Sequence, residues 1–334
     1  ANGEMHYVFG ENLDGYKENP TNPANYRVID YVNWQKEAYS SALSQIYSAS
    51  VSGGSDAVQY YISANFKNIK GIVENTGIKQ GDLRLKLTAN LSKAVKLTFN
   101  MNGSLQQNDM MSGGNTTGGV AGSLARTVLD TAPYRTPSDD PALMDNMDAK
   151  TNVDSWKNDY DDIINDKNFS ASADLFWTIN KHFSYNLRAG GGVSVNDRNR
   201  WYGMTLTIGA NDEGVLAVSN TDKSNYSVEN ILNYNVDLTK KIHLDATAAL
   251  TYDAHTFLNK NVKGTRFSNF DLRTRGLHLA STIKHDQPTQ KDYQLLSYLG
   301  RVNLSAYDKY LLTASLRADG SSKFKKGKRW SYFP

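Results

Sequence analysis

The sequence predicts an all-β fold, a transmembrane antiparallel up-and-down β-barrel to which this chain contributes about ten strands. Three observations predict it. Many segments alternate apolar and polar residues with a period of two, and the apolar positions of those segments carry no charge. Short turns also alternate with long connections along the chain. A barrel strand has one face in lipid and the other in water, and this accounts for the alternation and the missing charges.

Composition favours strands and excludes several classes of protein. The 334 residues include 20 Tyr and 5 Trp but only 7 Pro, and aromatic side chains pack well on pleated surfaces. No run of about 18 apolar residues occurs, so no transmembrane helix is expected. Cysteine is absent, which excludes disulfides and thiolate chemistry. A net charge of +3 without a basic, aromatic-rich stripe gives no indication of nucleic-acid binding.

The alternation is clearest between residues 83 and 91. Leu83, Leu85 and Leu87 fall on one face, whereas Arg84 and Lys86 fall on the other. The same pattern predicts strands near residues 42–52, 56–67, 81–92, 95–106, 168–179, 182–195, 226–238, 241–254, 293–305 and 309–318. Ten residues at about 3.3 Å each give roughly 33 Å, enough to cross an apolar band of about 25 Å at a tilt near 45°.

The chemistry of the two faces indicates lipid on one side and water on the other. An Arg or Lys facing lipid at the midplane costs roughly 2–4 kcal/mol, which explains the missing charges. The opposite face is too polar for a packed core, because Arg84, Asp174 and Asp245 would each need a buried partner.

The connections also alternate in length. Short turns are predicted at residues 52–56, 92–94, 180–182, 239–241 and 306–308. Long connections are predicted at Lys67–Gln80, Gln107–Asn168, Asn196–Asn225 and Thr256–Asp292. Bacterial outer-membrane barrels have short periplasmic turns and long extracellular loops, and a soluble β-sandwich rarely separates its loops in this way.

The connection Gln107–Asn168 contains three features of its own. Residues 113–119 are rich in glycine, and a helix is expected around Val120–Leu129. An acidic run, Asp159–Asp162 with Asp166, follows. Its carboxylates could bind Ca²⁺, but the spacing is not that of an EF-hand, so a solvated loop is the preferred interpretation. The glycine tract is interpreted as a flexible loop rather than a ligand cradle.

No arrangement of residues indicates catalysis. The histidines are scattered and lack the spacing of metal ligands, and no nucleophile elbow or phosphate-binding loop occurs. Asp139 and Asp140 precede Pro141 and indicate a turn. We therefore predict that the chain is not an enzyme, and that it needs no cofactor or metal ion.

Two blocks of residues resemble the SusC/RagA family of TonB-dependent outer-membrane transporters. The first block comprises Leu299–Leu304, Lys309–Ser315, Arg317–Phe324 and Arg329–Pro334. The second comprises Asn33–Gln35, Val51–Asp56, Tyr60–Ser63, Gly71–Ile72, Asn75–Gly77 and Leu83–Leu85. Because the blocks lie near both ends of the chain, the resemblance covers most of it.

The resemblance implies a 22-stranded barrel in a bacterial outer membrane. It also implies an N-terminal plug, coupling to TonB–ExbB–ExbD through a TonB box, and a SusD-like surface lipoprotein as a lid. Such transporters import oligosaccharides and, in some branches, peptides. On this basis the chain is an internal fragment without the plug. Residues 1–41 form an extracellular loop region, and residues 42–334 form part of the barrel.

Two groups of side chains are candidates for function. Charged residues predicted to face the lumen either line the pathway or, as the preferred alternative, contact the plug: Arg84, Lys86, Asp174, Arg188, Asp245, Arg301 and Arg317. The loop aromatics Trp34, Trp156 and Trp201 either stack on sugar rings or pack within loops and against the lipoprotein.

Two other functions stay open on the sequence alone. A passive porin would share the barrel pattern but lack a plug. A soluble or surface-exposed β-rich binding or adhesion protein would share the alternation without a membrane. The sequence does not identify the substrate.

Overall fold

The computed structural model describes residues 6–9, 26–29, 32–111, 124–130, 153–307 and 309–334. The strands are β1 (His6–Phe9), β2 (Tyr26–Ile29), β3 (Gln45–Gly54), β4 (Val58–Lys70), β5 (Gly77–Asn90), β6 (Val95–Asp109), β7 (Tyr160–Thr178), β8 (Phe183–Tyr202), β9 (Val215–Thr239), β10 (Ile242–Phe267), β11 (Ala280–His285), β12 (Thr289–Gln290), β13 (Tyr293–Ala306), β14 (Tyr310–Ser321) and β15 (Trp330–Phe333). The helices are α1 (Trp34–Ala38), α2 (Leu124–Asp130), α3 (Val153–Asp159) and α4 (Thr207–Asn211), with short 3₁₀ turns at Arg273–Arg275 and Leu277–Leu279.

Nearly all strands belong to one 13-stranded antiparallel sheet. Strands β3 to β10 pair in sequence order, followed by β13, β14 and β15, while β11 and β12 pair with the far part of β10. This order confirms the predicted up-and-down fold. The sheet is open, with β3 and β15 at its edges. β1 and β2 form a separate parallel pair. None of the helices in the described part of the chain is long and apolar enough to cross a membrane.

The register places the alternating residues on two distinct faces. One row across the sheet pairs Ile62 with Leu85 and Leu85 with Met101, and we call this side the apolar face. The next row pairs Ser63 with Arg84 and Arg84 with Asn102, on the polar face. Large side chains of the apolar face are exposed in this chain, for example Leu83 (47%) and Leu316 (55%), which is the state expected of a surface that meets lipid.

Asn230 is a polar residue within the apolar face. It lies between Leu187 and Leu250 in the sheet, and its side-chain oxygen accepts a hydrogen bond of 2.6 Å from the Tyr185 hydroxyl. The bond satisfies both groups in apolar surroundings, where an unpaired polar group would be costly.

The apolar face ends in aromatic pairs. Tyr226 and Tyr252 lie 5.8 Å apart, and Tyr298 lies 5.8 Å from Trp330. Beyond the first pair, Ser224 and Thr256 share a hydrogen bond on the same face. Aromatic girdles mark the interfaces of outer-membrane barrels, so we call the part of the apolar face before these pairs the apolar band.

Several strands extend well beyond the predicted bounds. The predicted strand 168–179 is part of β7, which has 19 residues, and 226–238 is part of β9, which has 25. At about 3.3 Å per residue, β9 is roughly 80 Å long, far more than the apolar band requires. The alternation identified only the segments with one face in lipid. Farther out both faces are polar, as with Asn196 bonded to Asp166 and Asn220 bonded to Asp197.

Long strands leave shorter connections than predicted. The predicted long connection Lys67–Gln80 is wrong, because β4 and β5 leave only residues 71–76 between them. The connection Asn196–Asn225 shrinks to residues 203–214. Thr256–Asp292 contains the end of β10 together with β11 and β12. Connections at the other end of the sheet, such as residues 91–94 and 240–241, are short as predicted.

The first short turn depends on a glycine. Gly54 has φ +144°, and an added Cβ would collide with the carbonyl oxygen of Val58. We expect Gly54→Ala to reduce the stability of the full-length protein by about 1–3 kcal/mol, because the turn would have to change shape. Urea unfolding in detergent micelles measures this. Gly103→Ala is the control, since its Cβ would meet no atom within 4 Å. Equal stability of the two variants would contradict the prediction.

Candidate functional site on the polar face

A depression of about 610 Å³ lies across β5 to β9 on the polar face. Two neighbouring rows of the sheet line it: Arg84, Asn102, Ser170, Gly192 and Asn225 in one, and Asp82, Ser104, Asn168, Ser194 and Lys223 in the other. We call it the polar-face depression. Its volume is within the range of small-molecule sites in proteins.

Small side chains make this depression possible. Serine, glycine and asparagine occupy the middle strands β6 to β8, whereas the charged Asp82 and Arg84 stand at one end and Lys223 at the other. The Arg84 guanidinium donates a hydrogen bond of 2.9 Å to the Asn102 side chain, which holds it against the wall. Behind the depression the apolar face carries Leu83, Phe169 and Val193, in the row of Ser224, so the depression lies at the end of the apolar band.

All seven predicted lumen-facing residues lie on the polar face. Their register positions place Arg84, Lys86, Asp174, Arg188, Asp245, Arg301 and Arg317 on this side of the sheet. They occupy several rows and do not converge on one point. Only Arg84 belongs to the polar-face depression. Whether the seven residues line a pathway or contact a plug stays a prediction.

Several of these charges pair with neighbours on the same strand or on adjacent strands. Arg188 contacts Asp174 at 2.8 Å and Glu229 at 3.7 Å. Arg317 contacts Asp319 at 2.8 Å. Other contacts in this set are the hydrogen bonds of Asp245 with Asn235 and of Arg301 with Asn303, and the ion pair of Asp245 with His243. These bonds run along and across the strands and fix the side chains on the wall.

Two of the three predicted stacking tryptophans are buried at the loop end of the sheet. Trp34 in α1 is 6% exposed, and Trp156 in α3 is 3% exposed. Both belong to a hydrophobic cluster that packs on the polar face at the ends of β7 to β9: Val32, Trp34, Ala38, Leu124, Val128, Val153, Trp156, Tyr160, Tyr202, Leu206 and Val215. We call it the rim cluster. The Trp156 indole N–H donates to the Thr127 hydroxyl at 3.0 Å.

A buried ion pair supports the rim cluster. The carboxylate of Asp162 is 1% exposed, and Arg198 on β8 donates to it at 2.8 Å through Nε. This bond raises the pKa of the Arg198 guanidinium, so the arginine stays charged. Burial, with Asp162 next to it, raises the pKa of the Tyr160 phenol, which keeps its proton and donates to that carboxylate at 3.3 Å.

Trp201 lies on the other side of the sheet. It is fully buried in a second cluster, with Leu216 and Phe267. The Trp201 and Phe267 rings meet edge to face at 4.9 Å. The indole nitrogen of Trp201 has no hydrogen-bond partner among the described residues. All three tryptophans therefore pack within the protein in this structure, which supports their packing role, and stacking on a ligand stays a prediction.

The acidic run is not a solvated loop, because Tyr160–Thr178 is a strand. Each carboxylate has its own protein partner. Asp159 accepts from the backbone and hydroxyl of Thr205, Asp161 pairs with Arg273 at 3.0 Å, Asp162 pairs with Arg198, and Asp166 accepts from Asn196. Burial raises the pKa of the Asp161 carboxyl, and Arg273 lowers it in part. Within the described residues, no three His, Asp or Glu side chains are grouped to hold a metal ion.

Other sequence features have mixed outcomes. The predicted helix around Val120–Leu129 is represented by α2, Leu124–Asp130. The glycine tract 113–119 and the Asp139–Asp140 pair lie outside the described residues. Sequence reasoning missed Lys223, because residue 223 fell in a predicted loop. It also missed the depression, whose serines and glycine carry no chemical signal of their own.

No family model matches the chain, but proteins of known name are similar to it. It is 25% identical, over 98% of its length, to TonB-dependent receptor P3 of Formosa agariphila, and it covers 32% of that protein. It is 24% identical, over 90% of its length, to TonB-dependent receptor SusC of Bacteroides thetaiotaomicron, and it covers 31% of that protein. The chain thus spans about a third of the length of these relatives.

Solved structures share the fold. The RagAB peptide importer in its open-open state matches 91% of this chain with a TM-score of 0.69 and 16% identity, and the match covers 34% of the importer chain. The ferric citrate transporter FecA matches 83% of this chain with a TM-score of 0.55 and 11% identity, and the match covers 35% of that chain. The open sheet thus has the fold of a segment of a transporter barrel wall.

Proposed function

Because this chain is a segment of a SusC/RagA-type TonB-dependent transporter, we propose that the full-length protein imports a nutrient across a bacterial outer membrane. The observation that carries the proposal is the two-faced wall. Its apolar face suits lipid, and its polar face holds a depression of about 610 Å³ at the end of the apolar band. A substrate that passes inside the barrel meets this face.

The proposed cargo is an oligosaccharide or a peptide. Both are too large for a narrow pore, and both need hydrogen-bonding groups along the path. The polar face offers such groups in rows of serine and asparagine. The importer with the similar fold is named for peptides, whereas the resemblance to SusC/RagA proteins implies oligosaccharides more often. No catalytic step is part of this proposal.

Energy coupling and a lid are further parts of the proposal. The resemblance implies coupling to TonB–ExbB–ExbD through a region outside this chain. It also implies a SusD-like lipoprotein, for which the loop end of the sheet is the expected docking side. There the rim cluster joins α1, α2 and α3, and Lys157 ties α3 to Glu74 at 3.2 Å and to the backbone oxygen of Glu37 at 3.0 Å. These contacts hold the three helices together and give the lipoprotein an ordered surface on which to dock. Co-purification of a lipoprotein with the full-length protein tests it.

Growth of a deletion strain tests import. The strain, the strain complemented with the full-length gene and a complemented strain without TonB are grown on single oligosaccharides and peptides. We expect loss of growth on one class of substrate, restored only when TonB is present. Growth that persists without TonB indicates a passive porin, and unchanged growth of the deletion strain on every substrate rejects import.

Filling the polar-face depression with a large side chain tests whether the imported substrate passes through it. Ser170 lies on β7, its middle strand, so Ser170→Trp is expected to reduce substrate uptake at least about tenfold, because the indole occupies the space. Uptake by whole cells is measured at equal amounts of folded protein in the outer membrane. The control is Ser224→Trp, which adds an indole on the opposite face next to Tyr226. If both variants took up substrate equally well, the depression would not lie on the path of the substrate.

A further inference from the structure

Two lysines flank one phenylalanine on the polar face at the end of the polar-face depression. Lys223 on β9 is the register partner of Phe257 on β10. On the other side, Phe257 and Lys291 exchange backbone hydrogen bonds of 3.1 and 2.9 Å. Both lysine ammonium groups lie 5.9 Å from the centre of the Phe257 ring. A ring between two cations is held by their attraction to its face.

A second aromatic pair lies one row closer to the apolar band. His255 stacks on Tyr293 with ring centres 4.5 Å apart and planes 16° apart. Lys323, which follows β14, places its ammonium 3.9 Å from the centre of the Tyr293 ring. We call these six residues the lysine–aromatic cluster: Lys223, His255, Phe257, Lys291, Tyr293 and Lys323.

The charge of this cluster is not neutralised by the described part of the chain. The three lysines are exposed, and none forms an ion pair with a described carboxylate. Lysines elsewhere do pair, as Lys263 does with Asp212 at 2.7 Å. Three unpaired cations on one patch give a positive potential that attracts anions.

The position of the cluster fits contact with a passing molecule. On the opposite face, Ser224 and Thr256 mark the same level, just beyond the Tyr226–Tyr252 pair that ends the apolar band. The rim cluster begins at Val215, eight positions before Lys223, or roughly 26 Å along the strand. The cluster thus lies beside the depression, in the same two rows of the sheet, and Lys223 belongs to both.

We propose that the lysine–aromatic cluster binds an anionic group, a carboxylate or a sulfate, on the imported substrate. The ammonium groups bind the anion as point charges, while the Phe257 and Tyr293 rings hold the three lysines close together. The proposal rests on the import function proposed above and narrows its substrate to acidic oligomers. Acidic oligosaccharides and acidic peptides share this chemistry, and the experiment distinguishes them.

Binding to purified full-length protein in detergent tests the proposal. The probes are a galacturonate trisaccharide, a chondroitin sulfate disaccharide and triglutamate. Each is compared with a neutral counterpart: the methyl-esterified trisaccharide, the desulfated and esterified disaccharide and triglutamine. The protein variants are Lys223→Gln, Lys291→Gln and the double variant. Lys260→Gln is the control, because Lys260 lies on the same strand but on the opposite face.

We expect at least one acidic probe to bind more tightly than its neutral counterpart. The double variant should bind that probe about tenfold more weakly, and its affinity should depend less on salt. Neutral probes and Lys260→Gln should show less than about a twofold change, a difference below 0.5 kcal/mol. The probe that responds identifies the source of the anion.

Two results would overturn the proposal. One is that no acidic probe binds better than its neutral counterpart. The other is that the double variant leaves the affinity for the acidic probe unchanged, whether or not its melting temperature falls. Growth of the deletion strain gives a separate answer on import. If the growth test shows import but the lysine variants bind the acidic probe with unchanged affinity, only the anion site is rejected and the import function stands.

Discussion

Arginine in place of Leu232 is expected to destabilise the full-length protein by about 2–4 kcal/mol, the cost of a charged side chain that faces lipid near the midplane. Leu232 lies on the apolar face of β9, between Tyr185 and Ala248 on the adjacent strands. Along β9 it lies midway between Leu238 at the turn end and Tyr226 at the aromatic pair. Unfolding in urea from detergent micelles or vesicles measures the loss.

Asn233→Arg provides the matched control. Asn233 is the next residue on the same strand, and it faces the polar side, where it accepts a hydrogen bond of 2.9 Å from Thr247. We expect this variant to lose about 1 kcal/mol, the value of that bond. A soluble β-protein would not separate the two variants by face in this way. Equal stability of the two would therefore contradict a membrane-facing apolar surface.

Loss of Arg198 is expected to have the second large effect. Arg198→Ala leaves the carboxylate of Asp162, 1% exposed, without its cation. Removal of one partner from a buried pair costs about 3–5 kcal/mol, and the partial exposure of Arg198 (35%) favours the lower value. The loss should open the rim cluster locally. Hydrogen exchange of the full-length protein over residues 153–162 measures it, because opening exposes those backbone amides.

Lys263→Ala is the control for this prediction. Lys263 contacts Asp212 at 2.7 Å, but the two side chains are 48% and 42% exposed, so the pair contributes less than about 1 kcal/mol. We expect little change in exchange in that variant. If the two variants showed the same hydrogen exchange over residues 153–162, the buried carboxylate of Asp162 would not be what stabilises the rim cluster.

The strands that contact lipid could be predicted from the sequence. The alternation in Leu83–Leu91 or Ile242–Leu250 arises because one face meets hydrocarbon and the other water, and it is visible residue by residue. The same alternation placed Arg84, Asp174 and Arg317 on the polar face. The two-residue period of the side chains along each strand was enough to place these residues.

The parts outside the lipid could not be predicted in this way. Beyond the apolar band, β9 and β10 have polar residues on both faces, so no period marks the strand. Backbone pairing and side-chain hydrogen bonds such as those of Asn259 with Ser219 and Thr221 maintain it instead. Burial of Trp156 and Trp201 depends on contacts with distant segments, for instance Thr127 and Phe267. The polar-face depression likewise needs the register of several strands.

The gradient in strand length gives the outer surface an uneven profile. β3 has 10 residues and β10 has 26, a difference of 16, or roughly 50 Å along the strand direction. Within the described part of the chain, one side of the wall therefore extends far beyond the other, and residues 203–214 between β8 and β9 are expected to reach farther from the bilayer than residues 71–76 between β4 and β5. Because this chain contains no cysteine, a single one placed there would be the only thiol that this part of the protein offers to a labelling reagent.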